Sequence, residues 1–231
     1  MNPSITPVTV RDADTIWHEQ GGWFDARWHF SFDAYRDSRQ MGVGALRVFN
    51  DDRIIAGAEW PLHPHQDIES LTYVVEGQFL HADSLGSNGR LKPGAAQVMT
   101  FSHRGDLHSE RNGSTDEPLR FIQFWILPSV GGLETRVQQR QYTIEDRTDR
   151  WLQIIGPAGT HGLDLAQDAR ALVAHLTDRG RLEHSFGPGR GGYLYVIDGR
   201  PAIDGDQLRT GDAAKITGPA DLRLATHVAA S

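Results

Sequence analysis

The chain has 231 residues, no cysteine and a formal net charge of −7, with a mean hydropathy of −0.45. This length holds one large or two small domains, and the acidic balance argues against a general nucleic-acid binder or a polybasic membrane surface. Without cysteine, disulfides and thiolate metal sites are excluded, so any bound ion must take nitrogen and oxygen donors.

The opening run, Met1 to Pro7, lacks the charged and apolar regions of a signal peptide. No stretch approaches the ~20 apolar residues of a membrane span. The expected location is cytoplasmic, with no membrane partner and no direct contact with nucleic acid. A short helical turn is expected within residues 13–19. Short strand-like runs separated by turn residues then dominate. Residues 42–49 read as a strand, followed by a turn at Asn50-Asp51-Asp52 and a second strand over 53–59. Runs at 70–75, 78–82, 95–101 and 119–127 follow, punctuated by Glu76-Gly77, a polar loop at 83–89 and Lys92-Pro93-Gly94.

At Pro128 the strand pattern stops. Residues 133–150 are polar, without a periodic apolar face, and read as a connecting segment. Strand-like runs return at 151–155, 169–176, 192–197 and 221–228. Asp198-Gly199 and Asp204-Gly205 are hairpin signals. Thr210-Gly211-Asp212-Ala213 echoes Lys92-Pro93-Gly94-Ala95, which suggests two similar β-domains. Turn punctuation at this spacing indicates an all-β sandwich or barrel architecture. The expected division is an N-terminal metal-binding domain over 1–132, a connection over 133–150 and a C-terminal domain over 151–231. The second half holds His161, His175, His184 and His227 but no His-x-His or His-x-Glu pair, and is expected to bind no metal.

Two such pairs stand in the first half. His63-Pro64-His65 is answered further along by His108-Ser109-Glu110. Residues two apart on a strand point to one face, so each pair aims both side chains into one barrel interior. Two facing strands then close three imidazoles and a carboxylate around an ion. On a helix the two rings would splay by roughly 200° and could not chelate. Pro64 suits an edge strand. The donor set fits Fe, Ni, Mn, Co, Cu or Zn.

These residues carry a resemblance. His63 to Glu69, Leu71 to Gly77 and His108-Ser109-Glu110 resemble the pirin family of bicupins. Trp28 to Phe32, Met41 to Asp52 and Gln123 to Pro128 support the likeness, which covers roughly residues 20–142. It implies a bicupin fold, two jelly-roll-like β-barrel cupin domains in one chain, with metal only in the first. It further implies His63, His65, His108 and Glu110 as ligands of one divalent ion, with iron the first expectation. Two departures are visible. Residues 101–107 are one residue longer and bulkier than usual before the second pair, and the segment before Phe30 is one residue shorter.

Glu69 competes with Glu110 as the fourth ligand. It stands four residues past His65, a spacing many cupins use, and could otherwise hold a ligand histidine by a hydrogen bond. His103 reads as a solvated loop residue, His29 as a packed structural histidine and His81 as exposed. Among the tryptophans, Trp60 adjoins the metal strand and is the best placed to touch a flat aromatic substrate. The resemblance implies quercetin 2,3-dioxygenation for bacterial members. Substrates would be a flavonol-like aromatic and O2, giving a phenolic carboxylic ester and carbon monoxide. Glu110 would then serve as ligand and general base. For eukaryotic members it implies a metal- or redox-sensing regulator that binds a protein partner, which is the alternative. Two barrels in one chain can pack on each other, so a monomer is expected.

Overall fold

The structure, a computed structural model, describes residues 7–226. The opening residues read for a targeting signal, apart from Pro7, lie outside the described residues, as do His227 and the end of the expected 221–228 strand. The described chain is all-β, with only two short 3-10 turns, Ala13–Thr15 and Glu145–Arg147. The helical turn expected over 13–19 is therefore confined to its first residues, and a strand follows at Trp17–Gln20.

Two compact units form. The first holds residues 17–144 and 153–173. Its largest sheet runs β12 (Arg136–Gln141), β9 (Ala95–Thr100), β6 (Glu69–Glu76), β11 (Leu119–Ile126), β4 (Leu46–Ile54), β3 (Phe24–Trp28), β2 (Trp17–Gln20). A second sheet runs β5 (Glu59–His65), β10 (Asp106–Asn112), β7 (Phe79–Asp83), β8 (Asn88–Leu91). A third runs β14 (Leu163–Leu165), β13 (Leu152–Pro157), β15 (Ala171–Val173). The β6, β9 and β11 segments are buried almost throughout. That explains why they read as near-continuous apolar runs rather than alternating ones.

The second unit holds residues 7–16, 145–152 and 174–226 of those described. One of its sheets runs β1 (Val8–Arg11), β20 (Ala213–Thr217), β17 (Gly191–Tyr195). The other runs β16 (Arg181–Phe186), β21 (Ala220–Thr226), β18 (Pro201–Ile203), β19 (Asp206–Gln207). Its core is apolar, built on Leu182, Val196, Ile203, Leu208, Ile216 and Leu224 among others. The units cut across the chain-order division at 132 and 151. Strand β1 pairs with β20, and residues 153–173 belong to the first unit.

Three local readings change. Asn50-Asp51-Asp52 is not a turn but the middle of the nine-residue strand β4. All three are buried, at 2%, 6% and 4% exposure. The polar run reads as a turn, but Asp51 is paired inside the protein. Asp51 takes a two-pronged ion pair from Arg120, Nε to Oδ1 at 3.0 Å and Nη2 to Oδ2 at 2.7 Å. The expected connection over 133–150 carries β12, paired with β9 from Arg136↔Thr100 to Gln141↔Ala95. Its Gln and Arg content is that of a sheet edge, where one side stays wet. Asp198-Gly199 joins no hairpin, since β17 and β18 lie in different sheets.

Other turn readings hold. Asp204 and Gly205, at φ 50° and 100°, join the paired strands β18 and β19. Gly94 and Gly211, at φ 86° and 88°, each precede the strand that begins at Ala95 or Ala213. The echo between the two halves is therefore structural. Both positions lie in the left-handed region that favours glycine.

Candidate metal centre

Strand β5 lies at the edge of its sheet and pairs only with β10, so Pro61 and Pro64 cost no ladder hydrogen bond on the open side. His63 stands opposite His108, and His65 opposite Asp106. The register then slips by one, so that Glu110 faces Trp60. The extra residue lies on β5, between Trp60 and His63. Such a bulge re-aims a strand locally.

The three histidines come together as their spacing predicts. One nitrogen from each of His63, His65 and His108 lies within 4.8 Å of the other two. The ring centroids of His63 and His108 are 4.5 Å apart. His63 Nδ1 is 2.8 Å from the Pro61 carbonyl. A carbonyl only accepts, so Nδ1 carries the proton and Nε2 keeps its lone pair for an ion. His65 Nε2 and both ring nitrogens of His108 are buried without a hydrogen-bond partner. Buried polar atoms need partners, and a shared metal ion satisfies lone pairs grouped this closely. The donors fit the group. Burial, followed by the His63 charge, lowers His65 to about 4. Burial, followed by His63, His65 and His81, lowers His108 to about 2. Both rings are neutral at neutral pH, the form that ligates.

Glu110, 3% exposed, shares the His108 face of β10 but stands outside the close histidine group. Its Oε1 accepts the side-chain amide of Gln123 on β11. Burial raises its pKa to about 8 against the opposing hydrogen bond from Gln123. Asp52 is raised well above the carboxylate range, first by burial and then by the charges of Glu110 and Asp51.

Glu69 is spent elsewhere. Its carboxylate accepts the Ala166 N–H at 2.9 Å and the Thr100 hydroxyl at 3.2 Å. Its side-chain bonds go to these two groups rather than to a ligand histidine. Burial raises its pKa against these two bonds and the Arg136 charge. His103 is the exposed loop residue expected, 3.1 Å from Asp67. His29 is fully buried, edge-on to Phe49 at 5.1 Å.

His81 is not exposed. At 2% exposure it stands opposite Glu110 on β7, its Nδ1 3.3 Å from the Gln97 amide and its Nε2 3.4 Å from Asp83. Strand parity carried this signal, because His81 shares a face with the buried Phe79. Trp60 packs with Trp23 at 4.7 Å and Phe24 at 5.8 Å. The tryptophan beside the histidines is Trp125, 4.6 Å from His65. Phe101 closes on His65 at 5.0 Å and on His108 at 4.9 Å. The long 101–107 segment is pinned by Asp106, which accepts the Ser102 N–H at 2.8 Å, the Ser102 hydroxyl at 2.9 Å and the Thr135 hydroxyl at 2.5 Å. Gln123, Trp125 and Phe101 were missed as site residues because each sits in a run that also reads as ordinary strand core.

Known proteins match this arrangement along most of the chain. The family model for pirin matches residues 10–126, and that for the quercetinase C-terminal cupin domain matches residues 153–231. The quercetin 2,3-dioxygenase of Escherichia coli K12 is 36% identical over 211 residues, 90% of this chain and 89% of that protein. A pirin-like protein of Caulobacter vibrioides is 36% identical over 197 residues, 84% of each chain. The crystal structure of the bacterial pirin YhhW from Escherichia coli, in complex with nickel(II), superposes with a TM-score of 0.88 at 33% identity. That match covers 95% of this chain and 93% of the other. With two cupin domains and a histidine triad in the first unit, the chain is a bicupin and belongs to the pirin family.

Proposed function

We propose that the protein is a metal-dependent dioxygenase of the quercetinase type. It opens the flavonol ring with O2 and releases carbon monoxide. His63, His65 and His108 hold one divalent transition ion, with Glu110 as fourth ligand. Iron is the expected ion, and the nickel complex of the Escherichia coli relative makes nickel the first alternative. The observation that carries the reading is the group of three buried or half-buried imidazoles whose nitrogens converge, with those of His65 and His108 unpartnered at the centre.

When bound, the ion supplies Lewis acidity and a redox path to dioxygen. The side chains do the rest. The Pro61 carbonyl fixes the His63 tautomer. Phe101 and Trp125 form apolar walls beside the histidines, suited to a flat aromatic substrate. Glu110 takes the proton of the flavonol 3-hydroxyl. Gln123 holds Oε1, which leaves Oε2 to receive that proton. The deprotonated flavonol is electron-rich enough to react with dioxygen.

The test is loss of the quercetin absorption band together with carbon monoxide release by protein loaded anaerobically with Fe(II), Ni(II), Mn(II), Co(II) or Cu(II), then exposed to air. Equimolar loss and release, absent in His63→Ala, is the expected result. Tight metal binding with no turnover by any ion would favour a regulatory role with a protein partner. Glu110→Gln should lower turnover by about 10²–10⁴ and lower metal content less.

A further inference from the structure

We infer that the indole N–H of Trp125 is a substrate-recognising hydrogen-bond donor of the metal centre, taking an acceptor oxygen of the bound aromatic substrate. The inference rests on the proposed dioxygenase reading and names the group that orients the flavonol. Trp125 Nε1 is buried and has no hydrogen-bond partner. An indole N–H can only donate, and leaving it buried and unpaired is costly. Tryptophan therefore has to be justified here by something that accepts. A phenylalanine would fill an apolar strand position without that penalty.

The placement supplies the reason. Trp125 stands two residues after Gln123 on β11, so the two share a face. Gln123 is bonded to Glu110, and the Trp125 ring lies 4.6 Å from the His65 ring at an interplanar angle of 69°. The Trp125 ring therefore borders the place where a metal-bound substrate presents its oxygens, and its unpartnered N–H is available to them. Phe32 also packs edge-on with the indole, at 5.3 Å. A flavonol carries two suitable acceptors, the 4-carbonyl and the 3-oxygen once Glu110 has removed its proton. The donor strengthens as negative charge grows on either oxygen.

The experiment uses the full-length protein loaded with Zn(II), which does not turn over by redox chemistry, under argon with indole-15N labelling. Replacing Zn(II) with Co(II) identifies the Trp125 N–H, because a paramagnetic ion shifts the indole beside His65 most. Addition of quercetin should move that resonance downfield, and addition of the flavone lacking the 3-hydroxyl should move it less. Trp125→Phe keeps a ring in place and should weaken quercetin binding about tenfold or more, with a smaller effect on the flavone. Binding of quercetin with an unmoved Trp125 resonance overturns this inference alone. Equal weakening of both flavonoids in the variant also does so, since that is what a packing role produces. Failure of quercetin to bind overturns it together with the dioxygenase reading.

Discussion

Replacing Glu110 by Gln should stabilise the metal-free protein at alkaline pH while removing activity. In the folded state burial raises the Glu110 pKa from 4.5 to about 8. The folded protein therefore binds more protons than the unfolded chain between those values, and stability falls as pH rises through that window. A tenfold difference in proton affinity between the folded and unfolded states corresponds to about 1.36 kcal/mol. The penalty is about 1 kcal/mol at pH 5 and about 4 kcal/mol at pH 8. Glutamine is nearly isosteric and carries no such penalty at any pH. His65 and His108, whose pKa values are lowered, act in both proteins alike and cancel in the difference. The stability gap between variant and parent should thus widen by about 3 kcal/mol from pH 5 to pH 8, or roughly 6–12 °C in Tm. Calorimetry in the presence of a chelator measures it. A gap that stays constant within about 1 kcal/mol would refute the assignment of Glu110 as a buried, proton-binding group.

Two other substitutions separate framework from site. Arg120→Met removes the two-pronged partner of Asp51 and leaves a carboxylate only 6% exposed. Urea unfolding should show a loss of about 3–5 kcal/mol, much of it recovered when Asp51→Asn is added. No recovery in the double variant would mean that the ion pair itself, not the stranded charge, sets the loss. Glu69→Ala leaves the Ala166 N–H without its acceptor and should cost about 1–3 kcal/mol. Its metal content should match the parent, and a fall in metal stoichiometry in folded protein would restore Glu69 as a ligand.

The histidine cluster was legible because strand parity is a short-range rule. His63 and His65 share a face, as do His108 and Glu110, and the pairing of β5 with β10 brings His63 opposite His108. The same rule would have turned His81 inward with Phe79, had the strand at 79–83 been read for its faces rather than for its polarity. Long-range pairing was not legible. Asn50-Asp51-Asp52 carries the residues of a turn, and the distant Arg120 pairs with Asp51 where it runs through the middle of a strand. Strand β12 was hidden for a related reason. Nothing within its polar sequence reveals that β9 will supply its hydrogen bonds. Gln123 was invisible in the same way, since its meaning depends on Glu110 lying across the barrel.

The central claim is that one ion at the three histidines carries the chemistry. Metal content and quercetin turnover, measured side by side for the parent, His63→Ala and His108→Ala after identical anaerobic loading, test it most directly. The account predicts one ion per chain with turnover in the parent, and loss of both in each variant while the fold persists. Full metal content and turnover in folded His108→Ala would contradict it.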